Sequence, residues 1–379
     1  MKLGVDISSL EELEALGPVF TYNGEKIDPL AFISSHSHIK TVRLRIWNDP
    51  YDEQGNPYGG GTNDLKTTIK LAERAKALGM NVLLDFHYSD FWVDPSRQIL
   101  PKAWRGKNYK QVLEELSNFT KKTLLALKEH DIDLLGVQIG NEITHGMMFP
   151  FGEVGREYSE ENGGGFRGHA ELLKTASKAV REIYPNTKII LHITHSGIYK
   201  IQDWFLSNIM PYDIDFDVLG ESYYPYWHAG LPFFKDTMTR IKEKYKKEIW
   251  IVEIGYEYIE SYPDYKKDLP DVPESEFIVG DVNGRIPFPK TKEGQAGYIK
   301  KLLEVCHEIG VEYAFYWEPC WIYMPHNGWA KPAGERYCGQ EPEGEAGNVW
   351  AAYTFFDLQG KANPVVDIFT QDFVDSLKK

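Results

Sequence analysis

Leu134-Leu135-Gly136-Val137-Gln138-Ile139-Gly140-Asn141-Glu142 is an apolar run, too short for a helix, that ends in an amide beside a carboxylate. It reads as a buried strand delivering Asn141 and Glu142 to an open end. A carboxylate at the tip of an apolar strand is costly unless something there uses it. The same pattern returns in Ile249-Trp250-Ile251-Val252-Glu253-Ile254-Gly255-Tyr256. Two apolar strands, each tipped by one glutamate, suit two-carboxylate chemistry on a parallel β/α barrel.

Working outward, the same unit repeats along the chain. Leu3 to Asp6, Thr41 to Trp47, Asn81 to His87, Lys188 to Thr194, Phe216 to Ser222 and Val311 to Trp317 read as further strands, which brings the total to eight. Helices are expected over Asn63 to Leu78, Tyr109 to His130, His169 to Tyr184, Ile198 to Met210, Phe233 to Lys247 and Thr291 to Ile309, with a last one from Pro364 to Leu377. Strands that alternate with helices imply a parallel sheet, and eight such units imply closure. Long loops follow strands and short turns follow helices, as expected when one barrel face carries the site. The fold class is therefore α/β, a (β/α)8 TIM barrel. No linker composition interrupts it, so residues 1–379 are expected to form a single domain.

Composition narrows the function. With 42% hydrophobic and 26% charged residues the chain can bury a large core, and no run of eighteen apolar residues suggests a membrane span. The net charge of −14 opposes nucleic acid and other polyanions, so a neutral ligand is the simpler reading. Aromatics make up 14% of the chain, and many lie in expected loops where sugar rings could stack on them. Of the three cysteines, Cys320 and Cys338 share one late loop and could pair in an oxidising compartment. The chain opens without a leader sequence. Localisation is read as extracellular with a signal removed, and cytoplasmic as the alternative.

At the strand tips a barrel would gather Asp6, Arg45 with Trp47, Asp85 with His87, Asn141 with Glu142, His192 with His195, Tyr223 with Tyr224, Glu253, and Trp317 with Glu318. Hydrolysis of a glycoside with retention needs one carboxyl to protonate the leaving oxygen and a second to attack the anomeric carbon. Asn141 beside Glu142 can bond a sugar hydroxyl, which assigns Glu142 as proton donor and Glu253 as nucleophile. Arg45 and a tyrosine of the sixth strand are expected to keep Glu253 ionised, while Glu142 needs a raised pKa. Either glutamate alone could be an ion-paired structural carboxylate; the pair with Asn141 attached is harder to read that way.

These residues also carry a family resemblance. Arg43-Leu44-Arg45-Ile46-Trp47-Asn48-Asp49-Pro50, Leu84-Asp85-Phe86-His87-Tyr88-Ser89-Asp90-Phe91-Trp92, Val137-Gln138-Ile139-Gly140-Asn141-Glu142-Ile143, Ser222-Tyr223-Tyr224-Pro225-Tyr226-Trp227-His228 and Tyr316-Trp317-Glu318-Pro319 together resemble the arabinogalactan endo-β-1,4-galactanases, glycoside hydrolase family 53 of clan A. The motifs run in order over nearly the whole chain. The resemblance implies internal cleavage, with retention, of β-1,4-galactan or arabinogalactan side chains of pectin. It implies Glu142 as acid/base and Glu253 as nucleophile. Arg45, His87 and Asn141 would surround the reacting sugar, one of Tyr223 and Tyr224 would touch Glu253, and Trp317 would form the floor. Trp47 and Asp85 join them as substrate-binding candidates, and Trp92 and Trp227 would serve neighbouring subsites.

The chain departs from the family pattern after the nucleophile, where Ile254 stands for the usual Thr and Glu257 for the usual Pro. Ile254 removes a hydroxyl, and Glu257 is expected to add a charge near the site. No cofactor is required by two-carboxylate chemistry. A structural calcium ion, which some family members hold, finds only Asp281 and Asn283 in Asp281-Val282-Asn283-Gly284, and the metal ligands stay unknown. The expected partner is the polysaccharide, with no nucleic acid, no membrane and a monomeric chain. Two rivals remain: a clan relative acting on mannan, xylan or cellulose, and a carbohydrate-binding barrel whose catalysis has decayed.

Overall fold

A computed structural model describes residues 1–259, 288–342 and 348–377. Eight parallel strands close into a barrel: β1 (Lys2–Asp6), β2 (Ile39–Ile46), β3 (Asn81–Phe86), β4 (Leu134–Ile139), β5 (Lys188–Ile193), β6 (Val218–Tyr223), β7 (Glu248–Ile254) and β8 (Tyr313–Tyr316). Each strand pairs with its sequence neighbours, and β1 pairs with β8 to seal the ring. Helices α1 (Pro29–His36), α2 (Leu65–Ala77), α3 (Tyr109–Glu129), α4 (Gly165–Ile183), α5 (Tyr199–Ile209), α6 (Leu231–Tyr245) and α7 (Lys292–Ile309) follow the first seven strands.

Local chemistry explains several boundaries. Asp64 caps α2 by accepting from Thr67 N, and Asn108 with Gln111 forms a reciprocal capping box at α3. The cap of α2 is thus Asp64; Asn63 instead donates from its side chain to Ser8 O. Helix α4 starts at Gly165, one turn before the expected His169. The last segment is a 3-10 stretch, Pro364–Phe369, followed by a short helix, Gln371–Ser376, in place of one continuous helix. A hairpin of Phe20–Tyr22 with Glu25–Ile27 turns on Asn23 and Gly24, both at positive φ, and was not among the expected elements.

Two apolar layers hold the barrel. Outside, side chains of alternate strand positions pack beneath the helices. Inside, Leu83, Ile190, Val218, Trp250, Val252, Tyr313 and Phe315 fill the bore. Large rings fit there because small neighbours yield: a Cβ placed on Gly4 would sit 2.3 Å from the Phe315 ring, its register partner on β8. Because the lower bore is filled, a ligand meets the barrel at its upper end.

Strand β7 breaks the alternation. Ser222 pairs with Glu253 although Glu221 pairs with Ile251, and on the other side Ala314 and Tyr316 pair with Ile251 and Ile254. One extra residue therefore sits in β7, a bulge. Trp250 and Val252 face the bore, Ile251 and Ile254 the helix layer, and the bulge swings Glu253 back over the bore. Cys306, Cys320 and Cys338 are free thiols, so the pairing considered for the last two is not present. No described helix is long and apolar enough to cross a membrane.

Candidate active site

A cleft of about 870 Å³ opens at the carboxyl ends of the strands and contains both glutamates of the opening motifs. Its floor is an ionic network. Arg43, inward on β2, pairs through Nη1 with Asp6 (2.8 Å) and through Nη2 with Asp85 (2.8 Å) and Glu253 Oε1 (2.9 Å). Its Nε donates to Gln138 Oε1 at 2.8 Å. Burial works against this charge, but the carboxylates of Asp85, Glu253 and Asp6 outweigh it and keep the guanidinium cationic. The other oxygen of Glu253 accepts from Tyr224 OH at 3.0 Å.

Glu142 follows β4 in the left-handed region, with φ of 53°. That turn lets Asn141 and Glu142 both face the cleft from adjacent positions, which a continued strand would forbid. Glu142 Oε1 accepts from Ser222 Oγ at 2.7 Å. Burial, and then the nearby charge of Glu253, raise the Glu142 carboxyl well above its ordinary value. Burial also raises Glu253, with the charges of Asp85 and Asp6 adding to it, but Arg43 and the Tyr224 hydroxyl pull the other way, so its carboxyl is raised less far than that of Glu142. The surroundings thus separate two like groups, one easier to protonate and one easier to ionise.

The sequence candidates divide. Arg45, His87, Trp92, Asn141, Glu142, Tyr224, Trp227, Glu253 and Trp317 line the cleft together. Trp92, Trp317, Trp350 and Trp227 run along it as a belt of indoles, with successive ring centroids 5.9 to 6.3 Å apart. Such a belt offers apolar faces of the kind on which a sugar ring can stack.

Other expectations need correction. Arg43, not Arg45, holds Glu253; Arg45 pairs with Glu318 Oε1 at 2.5 Å and lies 4.1 Å from the Trp92 ring. Of the two tyrosines, Tyr224 reaches Glu253. Tyr223 points outward, packs at a tilt against Phe234 and donates to Ala229 O at 2.9 Å. Trp47 is wholly buried because β2 ends at Ile46 and the indole packs with Tyr58 and Phe91; its Nε1 donates to His87 Nδ1 at 3.1 Å. Asp85 lies beneath the cleft and binds Arg43, Gln138 and His87 Nε2. Both His87 nitrogens are therefore engaged, and burial keeps the ring neutral. It offers the cleft a ring edge, with no free donor.

The departures after Glu253 lie away from the cleft. Ile254 sits in the outer apolar layer, and buried Glu257 pairs with Lys290 at 2.6 Å and accepts from Tyr353 OH. The loop with Asp281 and Asn283 lies outside the described residues, and among the described ones no group of three or more His, Cys, Asp or Glu side chains is arranged to hold a metal. Arg43, Ser222, Gln138 and Trp350 were not among the candidate site residues, and His192 was expected at a strand tip but without a role. Arg43, His192 and Ser222 do share the inward parity of their strands' functional positions, which was the available signal.

A family model described as "Glycosyl hydrolase family 53" matches residues 2–369. An endo-β-1,4-galactanase of Bacillus subtilis strain 168 is 30% identical over 97% of this chain and 84% of its own length. Among solved structures, the GH53 catalytic domain of Ignisphaera aggregans superposes with a TM-score of 0.84 at 33% identity, covering 97% of this chain and 94% of that one. A fungal β-1,4-galactanase gives 0.74 at 27% identity, covering 97% and 98%.

Proposed function

From the premise that the chain belongs to glycosyl hydrolase family 53, we propose that it is an endo-β-1,4-galactanase that cleaves galactan and arabinogalactan side chains of pectin with retention of configuration. In the first step the Glu253 carboxylate attacks the anomeric carbon while Glu142 gives its proton to the departing oxygen, leaving a galactosyl ester on Glu253. In the second, the Glu142 carboxylate takes a proton from water, whose oxygen attacks the same carbon and releases Glu253. Each proton taken is returned, so the two carboxyls suffice without a cofactor.

One observation carries this reading: the two glutamates share a cleft but not an environment. Glu253 is bound by a cation and a hydroxyl, as a nucleophile that must stay ionised requires. Glu142 is raised by burial and by Glu253, as a general acid requires. Asn141 and the indoles of Trp92, Trp317, Trp350 and Trp227 would hold sugar rings on either side of the bond. A polymer of this kind cannot enter a cell intact, so the reading places the enzyme outside it.

Product profiling tests the reading on debranched β-1,4-galactan beside mannan, xylan and carboxymethylcellulose, with Glu253→Ala as control. Galacto-oligosaccharides released from galactan alone, and lost in the variant, are expected. Hydrolysis of another glycan would keep the chemistry and discard the substrate. Binding without hydrolysis would make the chain a carbohydrate-binding barrel.

A further inference from the structure

Behind Glu142 lies a run of buried polar groups that two-carboxylate chemistry does not call for. Arg43 Nε, a donor only, faces Gln138 Oε1 at 2.8 Å and so fixes which way the carboxamide points. Gln138 Nε2 then donates to Asp85 Oδ1 (3.0 Å) and faces His192 Nδ1 at 3.0 Å. The Glu142 backbone N–H also points at this nitrogen, at 3.4 Å. Asn141 Oδ1, which accepts from Arg43 Nη2 and has a second lone pair, lies 3.1 Å away from it, but the carboxamide orientation set by Arg43 puts an N–H of Gln138 against Nδ1 and leaves no room for a proton there. Two donors converging on Nδ1 assign it as the acceptor, so the single proton of the neutral imidazole belongs on Nε2. Nε2 lies 2.8 Å from Ser222 Oγ, and Ser222 Oγ lies 2.7 Å from Glu142 Oε1.

We propose that Gln138, His192 and Ser222 form a one-way relay of hydrogen bonds, running from the guanidinium that holds Glu253 to Glu142 Oε1, which keeps the transferable proton on Oε2. The inference rests on Glu142 as the acid/base. Because every link donates toward Oε1, that oxygen accepts in both protonation states. Among the described residues only Oε1 of this carboxyl is hydrogen-bonded, so Oε2 is left to face the glycosidic oxygen. The same donation stabilises the ionised form, which must exist after the first step and is otherwise penalised by burial. Ser222 and His192 are thus positioning residues. The other titratable groups around Glu142 in the cleft are Arg43 and Arg45 on β2, His87, Asp94 and Arg97 after β3, His145 after β4, His195 after β5, Tyr224 and His228 after β6, and Glu253 on β7.

The test is the pH profile of kcat/KM on galactan. Its alkaline limb reports loss of the acid proton. Ser222→Ala removes a donor to the carboxylate, which raises the Glu142 pKa and moves this limb up by about one pH unit. Ser222→Cys, of similar size but a weaker donor, is expected to give an intermediate shift, and it serves if the alanine variant fails to fold. A folded Ser222→Ala or Ser222→Cys enzyme with an unmoved or lowered alkaline limb overturns the relay. Glu142→Gln separates the two ideas. If it hydrolyses galactan normally, the acid/base reading fails; if it is inactive while the Ser222 limb stays put, only the relay fails.

Discussion

Arg43 and Arg45 stand two residues apart on β2 and face the same side, and both reach Asp6, yet they hold different glutamates, Glu253 and Glu318. Alternation puts both on one face of the strand but cannot rank their depth, and a step of two residues moves a side chain by about 7 Å along the strand. That is why the Glu253 partner was assigned one row too high. Glu142, Glu253 and Asn141 were legible since each ends an apolar run, while Ser222 and His192 carry no such mark. Tyr224 gives a residue-scale prediction. Tyr224→Phe removes a donor to the Glu253 carboxylate, so its pKa rises and the ionised nucleophile is lost at a higher pH on acidification. The acidic limb of kcat/KM should move up by about one pH unit, with kcat on galactan down roughly tenfold. An acidic limb that stays where it was would exclude this role for Tyr224.

At the scale of elements, strands and long helices could be read because periodicity and capping residues agree there. Asn108 with Gln111 fixes the start of α3 in just this way. The hairpin at Asn23 and Gly24 had its turn signal in plain view, but its strands are only three residues long and show no alternation. Gly165 hid the start of α4, since glycine is a weak helix former, and its own φ is positive. The pairing of Gly4 with Phe315 inside the bore was not visible at all, because it joins the first strand to the last. It sets an expectation: Gly4→Ala should lower stability to chemical denaturation by about 1–3 kcal/mol through overpacking. Shrinking the ring in Gly4→Ala with Phe315→Leu should restore part of the loss. Equal stability of wild type and Gly4→Ala would mean the ring has room to move.

For the whole molecule, eight strand and helix units were enough to call a closed barrel, and the loops that shape the cleft were not predictable from pattern. Trp350 is the example: it lies well beyond the last strand in sequence, yet its indole lines the cleft. The net charge of −14 carries a molecular-scale prediction. A neutral galactan gains nothing from long-range attraction, so KM should change less than about twofold as salt is raised from roughly 0.05 to 0.5 M, a range over which surface fields are strongly screened. A steep salt dependence would point to a charged polymer as the true ligand.

The extra residue in β7 also bears on protein engineering. Glu253 meets its partners only because one position of its strand has no counterpart on either neighbour. A chimaera that exchanged this strand for one from a barrel with unbroken pairing could keep the glutamate at the same place in an alignment and still turn it toward the helices. Crossover points for shuffling such barrels therefore belong outside Ile251 to Ile254, so that the strand and its irregularity travel together.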